Sequence, residues 1–170
     1  MKIRMNELFS GIGAQYRGIC ETGLYDCTVT ATAEIDANAI ISYAALHCGL
    51  TSQLLKTYSY PDSTEMRNYL TNKGIVSNPD SKVATDWYKA KEEFVRKVYL
   101  ACQLSKNCGD ISKVERLPQA DLWTYSFPCF PMGTLVYTID GYKPIETVER
   151  GDRVVTHKGR YCSVLHTSVK

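Results

Sequence analysis

Along the first fifty residues the apolar pattern changes period three times. Residues 3–9, Ile-Arg-Met-Asn-Glu-Leu-Phe, read as a short strand, and Ser10-Gly11-Ile12-Gly13 interrupts it with two glycines. From Ala14 to about residue 22 the spacing is helical, and Gly23 stands where a C′ glycine ends a helix. Residues 28–34, Thr-Val-Thr-Ala-Thr-Ala-Glu, form a β-branched strand ending in an acid, and Asp36 is placed to cap a helix over residues 37–47. Residues 51–82 are polar and rich in turn formers, and predict an irregular insertion around one short helix, Ser63–Asn72. A longer helix is expected over residues 84–105, where Trp87, Phe94, Val98 and Cys102 recur at helical spacing. Asp110-Ile111 precedes a turn at Leu117-Pro118. Asp121-Leu-Trp-Thr-Tyr-Ser126 reads as another strand, ending at Phe127-Pro128-Cys129. Beyond it, short alternating stretches with turns at Asp140-Gly141 and Gly151-Asp152 predict a small all-β structure.

Strand, glycine turn and helix in that order let backbone approach a ligand and aim helix N–H groups at it. A lone Gly-x-Gly is common in plain connections. Glu34, however, stands about twenty residues further on, where a carboxylate at the tip of strand two accepts bonds from ribose hydroxyls. Turn and acid together favour a nucleotide-like cofactor over a simple helix-start acid. Their spacing does not separate NAD from S-adenosylmethionine, but position 16 of the expected Gly-x-Gly-x-x-Gly is Tyr16. One adenosine without a pyrophosphate fits better. Cys129, just past a strand's C-terminal end, lies on the edge where open α/β sheets bind ligands, which suits a nucleophile, although an isolated cysteine is more often structural.

Composition narrows the picture modestly. The 170 residues carry 20 Lys+Arg against 18 Asp+Glu, a net charge of +2, and 44% hydrophobic positions, the arithmetic of one soluble domain or slightly more. No apolar run approaches the ~18 residues that span a bilayer, and no secretory signal is evident, so a cytoplasmic location and no membrane partner are expected. Seven cysteines (20, 27, 48, 102, 108, 129 and 162) include no C-x-x-C pair. That argues against a disulfide framework and a zinc site; no metal is expected, and most of these thiols should be buried. Lys89, Lys91, Arg96 and Lys97, interrupted by Glu92 and Glu93, read as a solvated face more than a DNA contact.

Four motifs carry a resemblance. Glu7-Leu-Phe-Ser-Gly-Ile-Gly13, Glu34-Ile-Asp36, Asp110-Ile111 and Ser126-Phe-Pro-Cys129 resemble, in order, motifs of the N-terminal part of a DNA (cytosine-5) methyltransferase. The resemblance covers residues 1–128 and implies a partial Rossmann-like α/β domain with a helical insertion. It implies an S-adenosylmethionine pocket lined by Phe9, Gly11 and Gly13, with Glu34 holding the ribose, Ile35 packing on adenine and Asp110 bonding its amino group. Glu7 stands where the family more often has Asp, and Ala14 where it often has Gly. The implied chemistry is methyl transfer to cytosine C5: a thiolate adds to C6 of a flipped-out base and makes C5 nucleophilic.

After Cys129 the methyltransferase pattern stops. Residues 129–170 resemble the N-terminal segment of an intein (Hint-type): a leading Cys129, Thr134 five residues on, the Asp140-Gly141 turn, and Gly151-Asp152 before an apolar strand. By that resemblance the Cys129 thiol attacks the carbonyl of Pro128 and moves the preceding segment from nitrogen onto sulfur. A Thr-x-x-His element usually assists; here His157 and His166 sit at other spacings.

The glutamate that contacts cytosine, the target-recognition region and the intein's terminal Asn are not in these 170 residues. The reading is therefore one half of a split precursor, inactive alone, awaiting a chain that carries both remainders and meeting duplex DNA after assembly. A Cys following the partner's intein segment would restore Ser-Phe-Pro-Cys. Open alternatives are a truncated contiguous gene, a non-catalytic remnant binding S-adenosylmethionine, or Cys129 as the methyltransferase nucleophile itself. A restriction-modification setting is implied only by family.

Overall fold

A computed structural model describes residues 1–79, 84–125, 132–156, 159–165 and 167, and the chain divides into two units, Met1–Ser126 and Phe127–Lys170. The first unit is built on a parallel sheet of three strands in the order β2-β1-β3, with β1 (Lys2–Leu8) between β2 (Asp26–Ala33) and β3 (Leu122–Tyr125). Central β1 is apolar or fully enclosed where it is covered: Met5, Asn6 and Glu7 are all buried. Its register against β2 slips at Met5/Asn6, and the Thr30 hydroxyl fills the irregularity, 3.0 Å from the Met5 carbonyl and 2.7 Å from Asn6 Oδ1. On the far side of β2, residues 106–108 add a short parallel bridge, with Thr32 N–H donating to the Lys106 carbonyl and Cys108 N–H to the Thr32 carbonyl at 2.8 Å.

Helices α1 (Ala14–Glu21) and α2 (Ala37–His47) follow the first two strands, where the pattern places them. Asp36 caps α2 by accepting from Asn38 N–H at 2.9 Å. Within the insertion, the expected helix α4 (Ser63–Asn72) is capped by Asp62 through Thr64 and Glu65 N–H. A six-residue helix, α3 (Ser52–Thr57), precedes it, and the sequence pattern misses it because two turns are too short to show a period. Its one legible signal is Thr51, whose hydroxyl accepts from Leu54 N–H.

The long helix expected over residues 84–105 is shorter: α5 runs Glu92–Leu104. Residues before it form a turn whose carbonyls are taken from outside. The Arg67 guanidinium donates to the Trp87 and Ala90 carbonyls and pairs with Glu92 at 2.7 Å. Those acceptors would have served a helix continuing backwards. Trp87 is nonetheless a core residue: its indole N–H reaches the Ile75 carbonyl at 3.0 Å and its ring stacks on Phe94 at 5.8 Å. Val95, Val98, Ala101 and Cys102 of α5 pack in one buried cluster with Ile40, Ala44, Met66 and Leu70. The expected basic face is solvated, with Lys89 paired to Asp86 and Arg96 to Glu92.

The thiols depart from expectation. Of the six described cysteines only Cys102 is buried; Cys20, Cys27, Cys48 and Cys108 are half-buried and Cys162 is exposed. No residue of α1 is buried, so this helix covers the sheet only loosely and leaves Cys20 on its own surface and Cys27 on β2 partly open.

The second unit is an antiparallel four-stranded sheet, ordered β5-β4-β6-β7, from β4 (Leu135–Thr138), β5 (Gly141–Pro144), β6 (Arg153–Val155) and β7 (Tyr161–Ser163). Gly141 takes φ 106° in the tight β4–β5 turn, which the Thr138 hydroxyl closes by donating to the Gly141 carbonyl. At the Gly151-Asp152 turn, Asp152 accepts from Lys143 Nζ at 2.7 Å and from Glu149 N–H at 2.8 Å. Among the described residues of this unit only Thr138 is buried.

Candidate cofactor site

The β1–α1 connection holds three residues in left-handed backbone: Phe9 at φ 52°, Gly11 at 51° and Gly13 at 85°. For Phe9 that conformation carries strain of order 1–2 kcal/mol. Two anchors hold the turn. Ser10 N–H donates to the Ala33 carbonyl at the end of β2, and Gly11 N–H donates to Glu34 Oε2 at 2.9 Å. The second Glu34 oxygen accepts from Ile35 and Asp36 N–H at 2.8 and 2.9 Å. Phe9 and Ile35, following the two strands, keep 39% and 38% of their surface exposed, apolar area that the described residues leave open.

Glu7 lies beneath this turn. It is fully buried, and its oxygens accept from Tyr16 N–H at 3.1 Å and from the Tyr43 hydroxyl at 2.9 Å. Gly13, the N-cap of α1, has no side chain with which to cap the helix. The Glu7 carboxylate reaches over from β1 to the first turn instead, where an acid is favoured. Burial pushes its pKa up, against the pull of those hydrogen bonds. A longer acid at this position thus does structural work that the sequence alone left open.

Asp110 comes to the same end of the sheet through a residue the sequence reading overlooked. Buried Asn107 accepts Glu34 N–H at 3.0 Å and Gly109 N–H at 3.3 Å on Oδ1, and donates Nδ2–H to the Glu34 carbonyl at 2.9 Å. One side-chain amide therefore stitches Glu34 to the segment carrying Asp110, whose own N–H is held by the Lys73 carbonyl. Asparagine in a polar loop gives no periodic signal; only its place between the helix end and Gly109 hinted at a bridging role. Asp110 accepts Ser112 N–H and Oγ–H, both on Oδ1, and these bonds hold its carboxyl below the usual carboxylate range.

These residues suit an adenosine-type cofactor. A carboxylate has about four lone-pair sites; Glu34 commits three to Gly11, Ile35 and Asp36, leaving one on Oε2 for a hydroxyl donor. Asp110 keeps Oδ2 outside its two bonds, an acceptor for an exocyclic amine. The structure thus brings Phe9, Gly11, Gly13, Glu34, Ile35 and Asp110 onto the connections at one end of the sheet.

Thr134 belongs to the second unit, immediately before β4, where its carbonyl accepts Ile145 N–H at 2.8 Å. Next to it, Gly133 N–H donates to Glu146 Oε2 at 2.8 Å. Pro128 and Cys129 lie outside the described residues, as do His157 and His166.

Comparison with known proteins divides the chain in the same way. Residues 128–170 match the Hint domain family. Three quarters of the chain is similar, at 32% identity over 134 residues, to the orphan methyltransferase M.SssI of Spiroplasma monobiae. It is also 32% identical over 130 residues to the type II methyltransferase M2.ScrFI of Lactococcus lactis subsp. cremoris. The chain spans about a third of the length of each relative, 34% and 35% respectively.

Proposed function

We propose, from the premise that three quarters of this chain is homologous to DNA cytosine methyltransferases and that its C-terminal residues form a Hint domain, that it is half of a methyltransferase precursor matured by protein splicing with a complementary chain. The observation that carries this reading is the position of the join. The Hint match begins at residue 128, within Ser126-Phe-Pro-Cys129, the motif that would supply the methyltransferase's own nucleophile.

In the first step the Cys129 thiolate adds to the Pro128 carbonyl carbon. The C–N bond to the Cys129 nitrogen breaks, that nitrogen takes up a proton, and residues 1–128 pass to Sγ as a thioester. Since an amide is more stable than a thioester, the surrounding fold must strain or polarise the bond. A cysteine at the head of the partner's methyltransferase segment then displaces Cys129 from the acyl group. The side-chain nitrogen of the partner's terminal Asn attacks its own backbone carbonyl, breaking the Asn–Cys peptide bond as a succinimide and releasing the cysteine amine. An S-to-N shift onto that amine restores an amide, regenerating Ser-Phe-Pro-Cys with the partner's thiol in the position that adds to cytosine C6.

On the methyltransferase side, this chain supplies the cofactor cradle. S-adenosylmethionine, when bound, provides an electrophilic methyl group. Glu34 Oε2 would accept from its ribose, Asp110 Oδ2 would accept from its amine, and the exposed faces of Phe9 and Ile35 would cover its apolar surface. DNA contact and base selection belong to the partner's portion.

The test is to incubate the full chain with its candidate partner and follow ligation by gel and mass spectrometry, with hydroxylamine added to trap a thioester. A ligated product carrying residues 1–128, lost in Cys129→Ala, is expected. Absence of both ligation and hydroxylamine cleavage between residues 128 and 129 would leave only a cofactor-binding remnant.

A further inference from the structure

The glycine turn is gripped from below by the last turn of α2. The structure records His47 Nε2 at 2.9 Å from the Ile12 carbonyl, the one residue of the turn between Gly11 and Gly13. A carbonyl only accepts, so Nε2 carries the proton. The imidazole is wedged edge-on between the rings of Tyr16 and Tyr43, with centroids at 5.2 and 5.0 Å, and Tyr43 is itself anchored on buried Glu7. The fit against the turn leaves no slack. A Cβ at Gly13 would lie 2.5 Å from two atoms of the His47 ring and 2.8 Å from Tyr43.

We propose that His47 is a positioning residue for the cofactor turn: by donating Nε2–H to the Ile12 carbonyl it fixes the left-handed backbone of residues 11–13 and so the N–H groups that this turn presents. The argument is geometric. Ile12 is half exposed to solvent at its side chain and anchors little by burial, so the Ile12–Gly13 peptide is held by its two hydrogen bonds, Gly13 N–H to the Ser10 carbonyl at 2.8 Å and the Ile12 carbonyl to His47 at 2.9 Å. Without the imidazole that peptide keeps only its Ser10 bond, and a rotation that strains this bond loosens the turn whose other end is fixed by Gly11 N–H on Glu34. Glu7 and His47 thus act from two elements on the two ends of one turn: the carboxylate fixes the start of α1, the imidazole fixes the loop leading into it. Neither side chain needs to touch the cofactor to set how well it binds.

This inference rests on the cofactor reading for its functional consequence but not for its physical content, and the test separates the two. Amide hydrogen exchange on the full chain without cofactor is compared for the unaltered protein, His47→Leu and His47→Gln, alongside S-adenosylmethionine binding by calorimetry. His47→Leu is expected to speed exchange at Gly11, Gly13 and Tyr16 at least tenfold, leave α5 amides unchanged, and weaken cofactor binding about tenfold. Gln, whose amide also donates from a planar nitrogen, recovers most of both, as a mere filling of space would not. Unchanged exchange at residues 11–16 in the Leu variant, or equal behaviour of Leu and Gln, overturns the proposal whether or not the cofactor binds. Protection that depends on His47 without any cofactor binding in the unaltered chain upholds the positioning role and removes the cofactor reading instead.

Discussion

Asn107→Ala should be among the most damaging single changes outside the apolar core. The side chain is 3% exposed and makes three bonds to backbone groups: from Glu34 N–H, from Gly109 N–H, and to the Glu34 carbonyl. A hydrogen bond contributes about 1 kcal/mol net, while a buried group left unpaired costs about 1–3 kcal/mol. With three groups orphaned, one of them in a long bond, the expected loss is roughly 2–4 kcal/mol. Asn107→Asp separates the donor from the acceptor role. It preserves the acceptor for Glu34 and Gly109 N–H but sets a carboxylate oxygen against the Glu34 carbonyl, so it should be destabilised at neutral pH. Stability should recover in acid, once a protonated oxygen can donate. Urea unfolding followed by tryptophan fluorescence, which changes most at Trp87, 1% exposed in the fold against 46% for Trp123, reports both. An Asn107→Ala unfolding free energy within about 0.5 kcal/mol of the unaltered chain's, at unchanged m, would refute the view that this amide couples the two acidic residues of the site.

Much of the architecture was legible because its signals are local. Asp36 caps α2 where the sequence places it, α4 spans the expected Ser63–Asn72, and the turns at Asp140-Gly141 and Gly151-Asp152 punctuate the small sheet as expected. What escaped depends on partners distant in the chain. The start of α5 is set by Arg67, twenty or more residues earlier, which takes the Trp87 and Ala90 carbonyls. A tryptophan at helical spacing from Phe94 could therefore belong to the core without belonging to the helix. The site divides the same way. Glu34 and the glycines announce themselves by spacing, whereas Asn107 and His47 reach the site across 73 and 35 residues of sequence. Glu7 shows the intermediate case, since its type was visible but its role required knowing that Gly13 leaves α1 without a side-chain cap.

The raised pKa of Glu7 and the burial pattern of the small sheet each lead to a measurement. Because burial raises the Glu7 carboxyl above its ordinary 4.5, the folded chain binds a proton more tightly than the unfolded one. This contribution to stability is fully present below about 4.5 and declines as pH rises through the elevated native value. Unfolding free energy measured across that window should show the decline in the unaltered protein and lose it in Glu7→Gln; an identical pH profile for the two would sink the assignment. The second unit invites a sharper expectation. Its β4–β5 and β6–β7 ladders are registered, yet among its described residues Thr138 alone is buried, while Leu135, Tyr137, Tyr142 and Tyr161 remain exposed. Backbone bonds on a sheet whose described residues bury little apolar area open at little cost, because water replaces each one. Amides of residues 135–156 and 159–163 should therefore exchange orders of magnitude faster than those of α5 in the chain by itself, and the proposed complementary chain, if it pairs with this sheet, should slow them by a comparable factor. Protection of the isolated sheet equal to that of α5 would mean that these four strands are already a finished fold, with no vacancy for a second Hint segment to fill.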